Sequence, residues 1–172
     1  MDFELTEEQR IALDGWRRAV EHQVAPLVAG FRDRAFTVDV AHELMRLMVG
    51  YGVGSGWVPE DGGGLGLDFL TSGLMFEALA KVSPDAAGLA WVAEGAALKV
   101  WANAFSEPGI GSSVREMRTR AVRDGKYWRI RGEKMWTSNA TVADIVLVLA
   151  RTGENEFSMF LVDRQEHGFQ AT

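Results

Sequence analysis

Apolar side chains recur at Leu13, Trp16, Val20, Val24 and Leu27, the spacing of one face of an α-helix. Thr6 stands three residues before Gln9, a capping-box pattern that marks where such a helix begins. Pro26 is expected to kink or end it, because proline offers no backbone N–H to the preceding turn. A second helix is predicted from Val38 to Val49, with Val40, Leu44, Leu47 and Met48 inward and Gly50 as its stop. Gly50 through Gly66 is glycine-rich, follows neither period and reads as a loop. A third helix is predicted over Asp68–Val82, with Phe69, Gly73, Phe76 and Ala80 on one face. Ser83 then serves as N-cap and Pro84 as the first residue of a fourth helix, alanine-rich and reaching about Trp101.

Beyond Trp101 the pattern becomes that of strands. Asp124-Gly125 is a hairpin signal between Met117–Arg123 and Tyr127–Arg131. Asp144–Arg151 is a nearly continuous apolar run suited to a buried strand, and Gly153-Glu154-Asn155 turns into a further strand over Phe157–Val162. The expected fold class is α+β. Its N-terminal helical domain covers residues 1–101, and a partial antiparallel β-domain covers residues 102–172.

Composition narrows the function classes. The chain of 172 residues has 47% hydrophobic and 24% charged residues, as an ordinary globular protein does. It has no cysteine, which excludes disulfides and thiolate metal sites. No apolar run is long enough to span a bilayer, and Met1-Asp2-Phe3-Glu4 does not open a secretory signal, so a cytoplasmic location is expected. Residues 1–100 carry 8 basic and 15 acidic groups, whereas residues 101–172 carry 10 and 9. The acidic first part argues against a nucleic-acid surface there. Arg115, Arg118, Arg120 and Arg123 form a basic run with two readings, contact with a phosphate-bearing ligand or a solvated strand edge.

Several catalytic patterns are absent. There is no Gly-x-x-x-x-Gly-Lys phosphate loop, no Gly-x-Gly-x-x-Gly between strand and helix, and no Gly-x-Ser-x-Gly elbow. His22, His42 and His167 lack the spacing of metal ligands, so no metal site is expected. The glycines of Pro59–Gly66 read as a tight turn between helices rather than a phosphate cradle.

Two segments carry chemistry together. The first is Phe105-Ser106-Glu107-Pro108-Gly109-Ile110-Gly111-Ser112, and the second is Gly132-Glu133-Lys134-Met135-Trp136-Thr137-Ser138-Asn139. Ser106 and Ser138 offer hydroxyls to ring heteroatoms. Gly111 lets a backbone approach a phosphate that Ser112 can hydrogen-bond, and Trp136 offers a flat apolar face to a ring. These segments resemble the paired flavin-binding signatures of the acyl-CoA dehydrogenase family, a Thr-Glu-Pro-x-x-Gly-Ser loop and a Trp-x-Thr-Asn strand end. The first helix, the Pro59–Gly66 loop and the run Ala121–Thr152 also look like that family, so the resemblance covers nearly the whole chain.

The resemblance implies FAD as cofactor and an acyl-CoA thioester as substrate, desaturated between its α- and β-carbons by hydride transfer to the flavin. It implies that Phe105 and Ser106 touch the pyrimidine side of the ring, Gly111 and Ser112 the pyrophosphate, Trp136 the ring's flank and Ser138 the region near N5. The family's catalytic glutamate belongs to a helical bundle expected after Thr172, so the catalytic residue of this chain is unknown and the chain alone is expected to be incomplete and inactive. Glu107 and Glu94 are the nearest candidates on chemical grounds, with Glu107 the better fit to a loop-structuring role. A homo-oligomer or a complex with a homologous subunit is implied. The alternatives are a non-catalytic subunit or scaffold beside a full-length homologue, and a fragment of a flavin oxidase or monooxygenase of the same fold.

The chain departs from the family pattern at Ser113, where aspartate is usual, at Phe105, where a smaller aliphatic is common, and at Ser106 and Ser138, where threonine is usual. The passage from Leu98 to Phe105 is short. A helix end, a loop and an entry strand of roughly twenty residues, about five turns if helical, are expected there in the family.

Overall fold

The computed structural model describes residues 4–54, 56–92, 99–111 and 113–172, with Trp91 and Val92 described by their backbone. It divides into two compact units, Met1–Val100 and Trp101–Thr172.

The first unit is helical. Its first helix, α1 (Glu7–Ala19), starts at the expected capping box: Gln9 N–H donates to Thr6 Oγ1 at 3.2 Å, and Thr6 N–H donates to Gln9 Oε1 at 2.9 Å. The chain stays helical past Pro26, through a π-helical turn at Val20–Val24 into α2 (Ala25–Val28). Proline cannot supply the usual bond to the turn before it, and the wider turn, closed by Ala25 N–H on Val20 O, absorbs the mismatch. The extra residue in that turn also shifts the inward face by one position. Val28 is therefore buried and Leu27 half-buried, the reverse of the simple periodicity.

Helix α3 (Val38–Gly50) is capped by Thr37, and its buried face is Ala41, Leu44, Met45 and Met48, with Val40 and Leu47 half-buried. Helix α4 (Phe69–Val82) corrects the expected face. Thr71, Met75 and Leu79 are buried, whereas Phe69 is 82% exposed and Gly73 and Ala80 are also exposed. Apolar residues surround this helix, so its pattern selects no face, and the orientation is decided by neighbours. Asp68 caps Thr71 N–H at 2.9 Å, and the buried Trp16 indole donates to Met75 O at 2.9 Å, docking α4 on α1. Between α3 and α4 the glycine loop folds back on itself. A Cβ on Gly64 would lie 1.9 Å from Val58 O, so only glycine permits that approach.

Helix α5 (Pro84–Val92) begins as predicted, with Ala86 N–H on Ser83 Oγ at 3.1 Å. The expected continuation through residues 93–98 lies outside the described residues. Trp101, expected at the end of this helix, instead opens a strand.

The second unit is a 5-stranded sheet of β1 (Trp101–Ala104), β2 (Arg120–Asp124), β3 (Tyr127–Arg131), β4 (Ile145–Arg151) and β5 (Phe157–Asp163). The fold class is α+β, and the sheet is mixed rather than purely antiparallel. Strands β2–β3 and β4–β5 pair antiparallel, while β1 and β2 both pair parallel to β4. β5 runs the full length of β4, so β1 and β2 share the opposite edge, β2 meeting it at Arg151. The long excursion between β1 and β4, which contains the β2–β3 hairpin, gives the chain room for a parallel return. The short passage before Phe105 thus still contains a strand, β1.

Candidate functional site

The two motif segments of the second unit lie side by side. Met135 N–H donates to Ser106 O at 2.9 Å, and the Lys134 ammonium donates to Phe105 O at 3.0 Å and to Glu107 Oε1 at 3.0 Å. Glu107 is 4% exposed and also accepts from Arg118 N–H at 2.7 Å and Thr119 N–H at 2.9 Å. One carboxylate therefore ties the first motif to the start of β2 and to the second motif.

The local sequence explains how Glu107 reaches this position. Pro108-Gly109 occupies the corner of a tight turn, with Gly109 at φ 78° and Ile110 N–H returning to Glu107 O at 3.0 Å. Proline then glycine at φ > 0 is the signature of a type II turn. Burial alone pushes the Glu107 carboxyl up. The Thr119 side chain, the Arg118 and Thr119 N–H groups and Lys134 outweigh it and hold the carboxyl down at about 2. A buried, saturated carboxylate of this kind is a poor proton acceptor, which removes Glu107 as a catalytic base. Glu94 lies outside the described residues.

The second motif ends in an unusual backbone. Trp136 has φ 58° and Asn139 φ 64°, and Trp136 is 84% exposed. A bulky non-glycine residue in this region costs about 1–2 kcal/mol. Within the same turn Thr137 Oγ1 and Asn139 Nδ2 are buried and, among the described residues, have no hydrogen-bond partner. Downstream, the turn is held by Arg164, which donates to Ala143 O at 2.7 Å and Ala140 O at 2.6 Å while its guanidinium lies 4.3 Å from the Phe169 ring centroid.

Of the residues singled out from the sequence, Phe105 and Ser106 are brought against the second motif, Phe105 being 42% exposed. Ser138 and Gly111 are exposed, and among the described residues a Cβ on Gly111 would meet nothing within 4 Å. Ser112 lies outside the described residues. Sequence reasoning missed Lys134 as the link between the motifs. The available signal was a lone lysine inside the second motif, with Glu107 inside the first. Among the described residues no group of acidic or histidine side chains is arranged to hold a metal ion, and no helix is long and apolar enough to cross a membrane.

The model of the acyl-CoA dehydrogenase N-terminal domain matches residues 6–107, and that of the acyl-CoA dehydrogenase middle domain matches residues 102–172. Cyclohex-1-ene-1-carbonyl-CoA dehydrogenase of Syntrophus aciditrophicus (strain SB) is 32% identical over 196 residues, covering 96% of this chain and 46% of the relative. (2S)-Methylsuccinyl-CoA dehydrogenase of Cereibacter sphaeroides is 29% identical, covering 93% of this chain and 34% of the relative. A glutaryl-CoA dehydrogenase from Mycobacterium smegmatis, solved in complex with FADH2, superposes with a TM-score of 0.78 at 26% identity, over 98% of this chain and 48% of that one. The chain thus spans half or less of the length of these relatives. With the two family models together matching residues 6–172, the chain belongs to the acyl-CoA dehydrogenase family.

Proposed function

We propose that this chain carries the FAD-contacting face of a protein that desaturates an acyl-CoA thioester between its α- and β-carbons. The observation that carries the reading is the junction of the two motifs. Lys134 and Met135 bind the Phe105–Glu107 segment, and immediately beyond them Trp136 stands 84% exposed in a left-handed conformation. Backbone strain of this kind clusters at ligand-binding sites, and here it holds a flat indole face open to a planar ligand. The buried, unpartnered Thr137 Oγ1 and Asn139 Nδ2 add polar atoms beside the same turn, which fits a ring with heteroatoms. The glutaryl-CoA dehydrogenase solved with FADH2 supports the same cofactor here.

Bound there, FAD would supply the hydride-accepting chemistry of the reaction. The protein's own share is placement. Trp136 would lay its indole along the ring, and Phe105 and Ser106 would meet the pyrimidine side. Ser138 would donate its hydroxyl near N5. Gly111 would admit the pyrophosphate, since among the described residues neither its φ nor a contact to a Cβ requires glycine there, and Ser112 would hydrogen-bond it. The base that removes the α-proton is not assigned to any residue of this chain.

The test is a visible absorption scan of the purified chain after incubation with FAD and desalting. A retained flavin spectrum, lost in Trp136→Ala, is the expected result. A colourless protein whose tryptophan fluorescence is also unchanged by added FAD would sink the placement.

A further inference from the structure

The register of the sheet collects arginines that are scattered in the sequence. Arg131 of β3 lies opposite Arg120 of β2, and Arg120 lies opposite Arg151 of β4. Paired residues share a face, so the three form one row across three strands, each about 4.8 Å from the next. Like charges directly opposite one another destabilise a sheet. Neighbouring Arg129 is neutralised by Asp124 at 2.6 Å, but among the described residues neither Arg120 nor Arg131 has a carboxylate partner.

Arg151 is immobilised in its place. Its Nη1 donates to Glu154 O at 3.3 Å, its Nη2 donates to Arg115 O, and its guanidinium lies 5.4 Å from the Phe157 ring centroid. Its Nε is buried and has no partner among the described residues. The bond to Arg115 also draws the segment before β2 toward the row. Arg120 and Arg131 remain exposed at the surface. The basic run seen in the sequence is therefore divided. Arg123 falls on the opposite face of β2 by strand alternation, where its Nε donates to Gly125 O at 3.3 Å.

We propose that the Arg120–Arg131–Arg151 row binds the diphosphate group of an anionic ligand. Guanidinium forks match phosphate oxygens in pairs, and a line of cations suits an elongated anion better than a single tetrahedral one. The fixed Arg151 provides a standing positive charge, and the exposed Arg120 and Arg131 provide the donors. Without an anion, the row opposes its own sheet, so ligand binding and the stability of the free protein should respond in opposite directions to loss of a charge.

The experiment is calorimetric titration of the 172-residue chain with inorganic pyrophosphate, orthophosphate and ADP at low ionic strength, with melting curves of the unliganded variants. Pyrophosphate is expected to bind saturably at one site. Arg120→Gln and Arg131→Gln should each weaken it about tenfold, as loss of a charge-assisted hydrogen bond does, and each should raise the melting temperature. Arg123→Gln should change neither. ADP binding that depends equally on Arg120 supports a nucleotide source, and ADP binding about tenfold weaker supports free diphosphate. Non-saturable pyrophosphate binding, equal loss in Arg123→Gln, orthophosphate binding as tight as pyrophosphate, or lower melting temperatures in both row variants would each overturn the proposal.

Discussion

Lys134 Nζ lies 3.0 Å from Glu107 Oε1, and both side chains are almost wholly enclosed, with 10% and 3% of their surface exposed. The pair joins two segments separated by the whole β2–β3 hairpin, and Lys134 uses a second bond to hold Phe105 O at 3.0 Å. Surface ion pairs such as Lys81–Glu77 contribute little, because water screens them and side-chain entropy opposes them. A buried pair behaves differently when broken, since the partner left behind keeps its desolvation cost.

Lys134→Met should therefore destabilise the second unit by about 3 kcal/mol, toward the lower end for a broken buried pair. Urea unfolding followed by near-ultraviolet circular dichroism would measure it. A loss no larger than that of Lys81→Met would mean that the pair is not energetically coupled to the fold.

Acid should expose the same contact. The Glu107 carboxyl is held at about 2, below its ordinary 4.5, so the folded state favours the ionised form. Its contribution is fully present above about pH 4.5 and is lost as pH falls toward 2, with an upper size of about 3 kcal/mol. Asp68, held at about 2 by its bonds from Thr71, titrates over a similar window, so the comparison needs a variant. Glu107→Gln should be less stable at neutral pH and should lose less stability between pH 5 and pH 2. Parallel pH profiles for the two proteins would contradict the assignment.

Trp136→Gly separates strain from binding. Glycine adopts φ 58° freely, so the free chain should gain about 1 kcal/mol while flavin retention falls. Thermal melts and the absorption scan on one preparation check both halves. A destabilised variant would mean that the exposed indole packs on the chain more than its surface suggests.

Trp16→Phe should cost about 1–3 kcal/mol in the first unit, because Met75 O loses its buried indole donor at 2.9 Å and no other side chain replaces it. Helix content at rising temperature would report the change. An unaltered midpoint would show that α4 is oriented by apolar packing alone.

Local grammar was legible where one short stretch contains all of its physics. The Thr6–Gln9 box, the Ser83 cap and the hairpin at Gly125 each appear as read, because capping and turn geometry depend on residues three or four apart. The inward face of α4 was not legible, because its apolar residues surround the helix and Trp16, 59 positions away, selects the side that docks. The parallel return of β1 onto β4 escaped for a similar reason. A four-residue strand such as Trp101-Ala102-Asn103-Ala104 has little period of its own, and only its partner makes it a strand.

The candidate site divides in the same way. Its residue types and their order, serine, glycine and tryptophan in two motifs, were set by the sequence alone, and with them the family resemblance. Which groups meet was decided only in three dimensions. Lys134 reaches across to Phe105 and Glu107, Trp136 is forced to a positive φ, and Arg120, Arg131 and Arg151 fall into one row. Those relationships arise from strand register and long-range hydrogen bonds, which join residues that no local pattern relates.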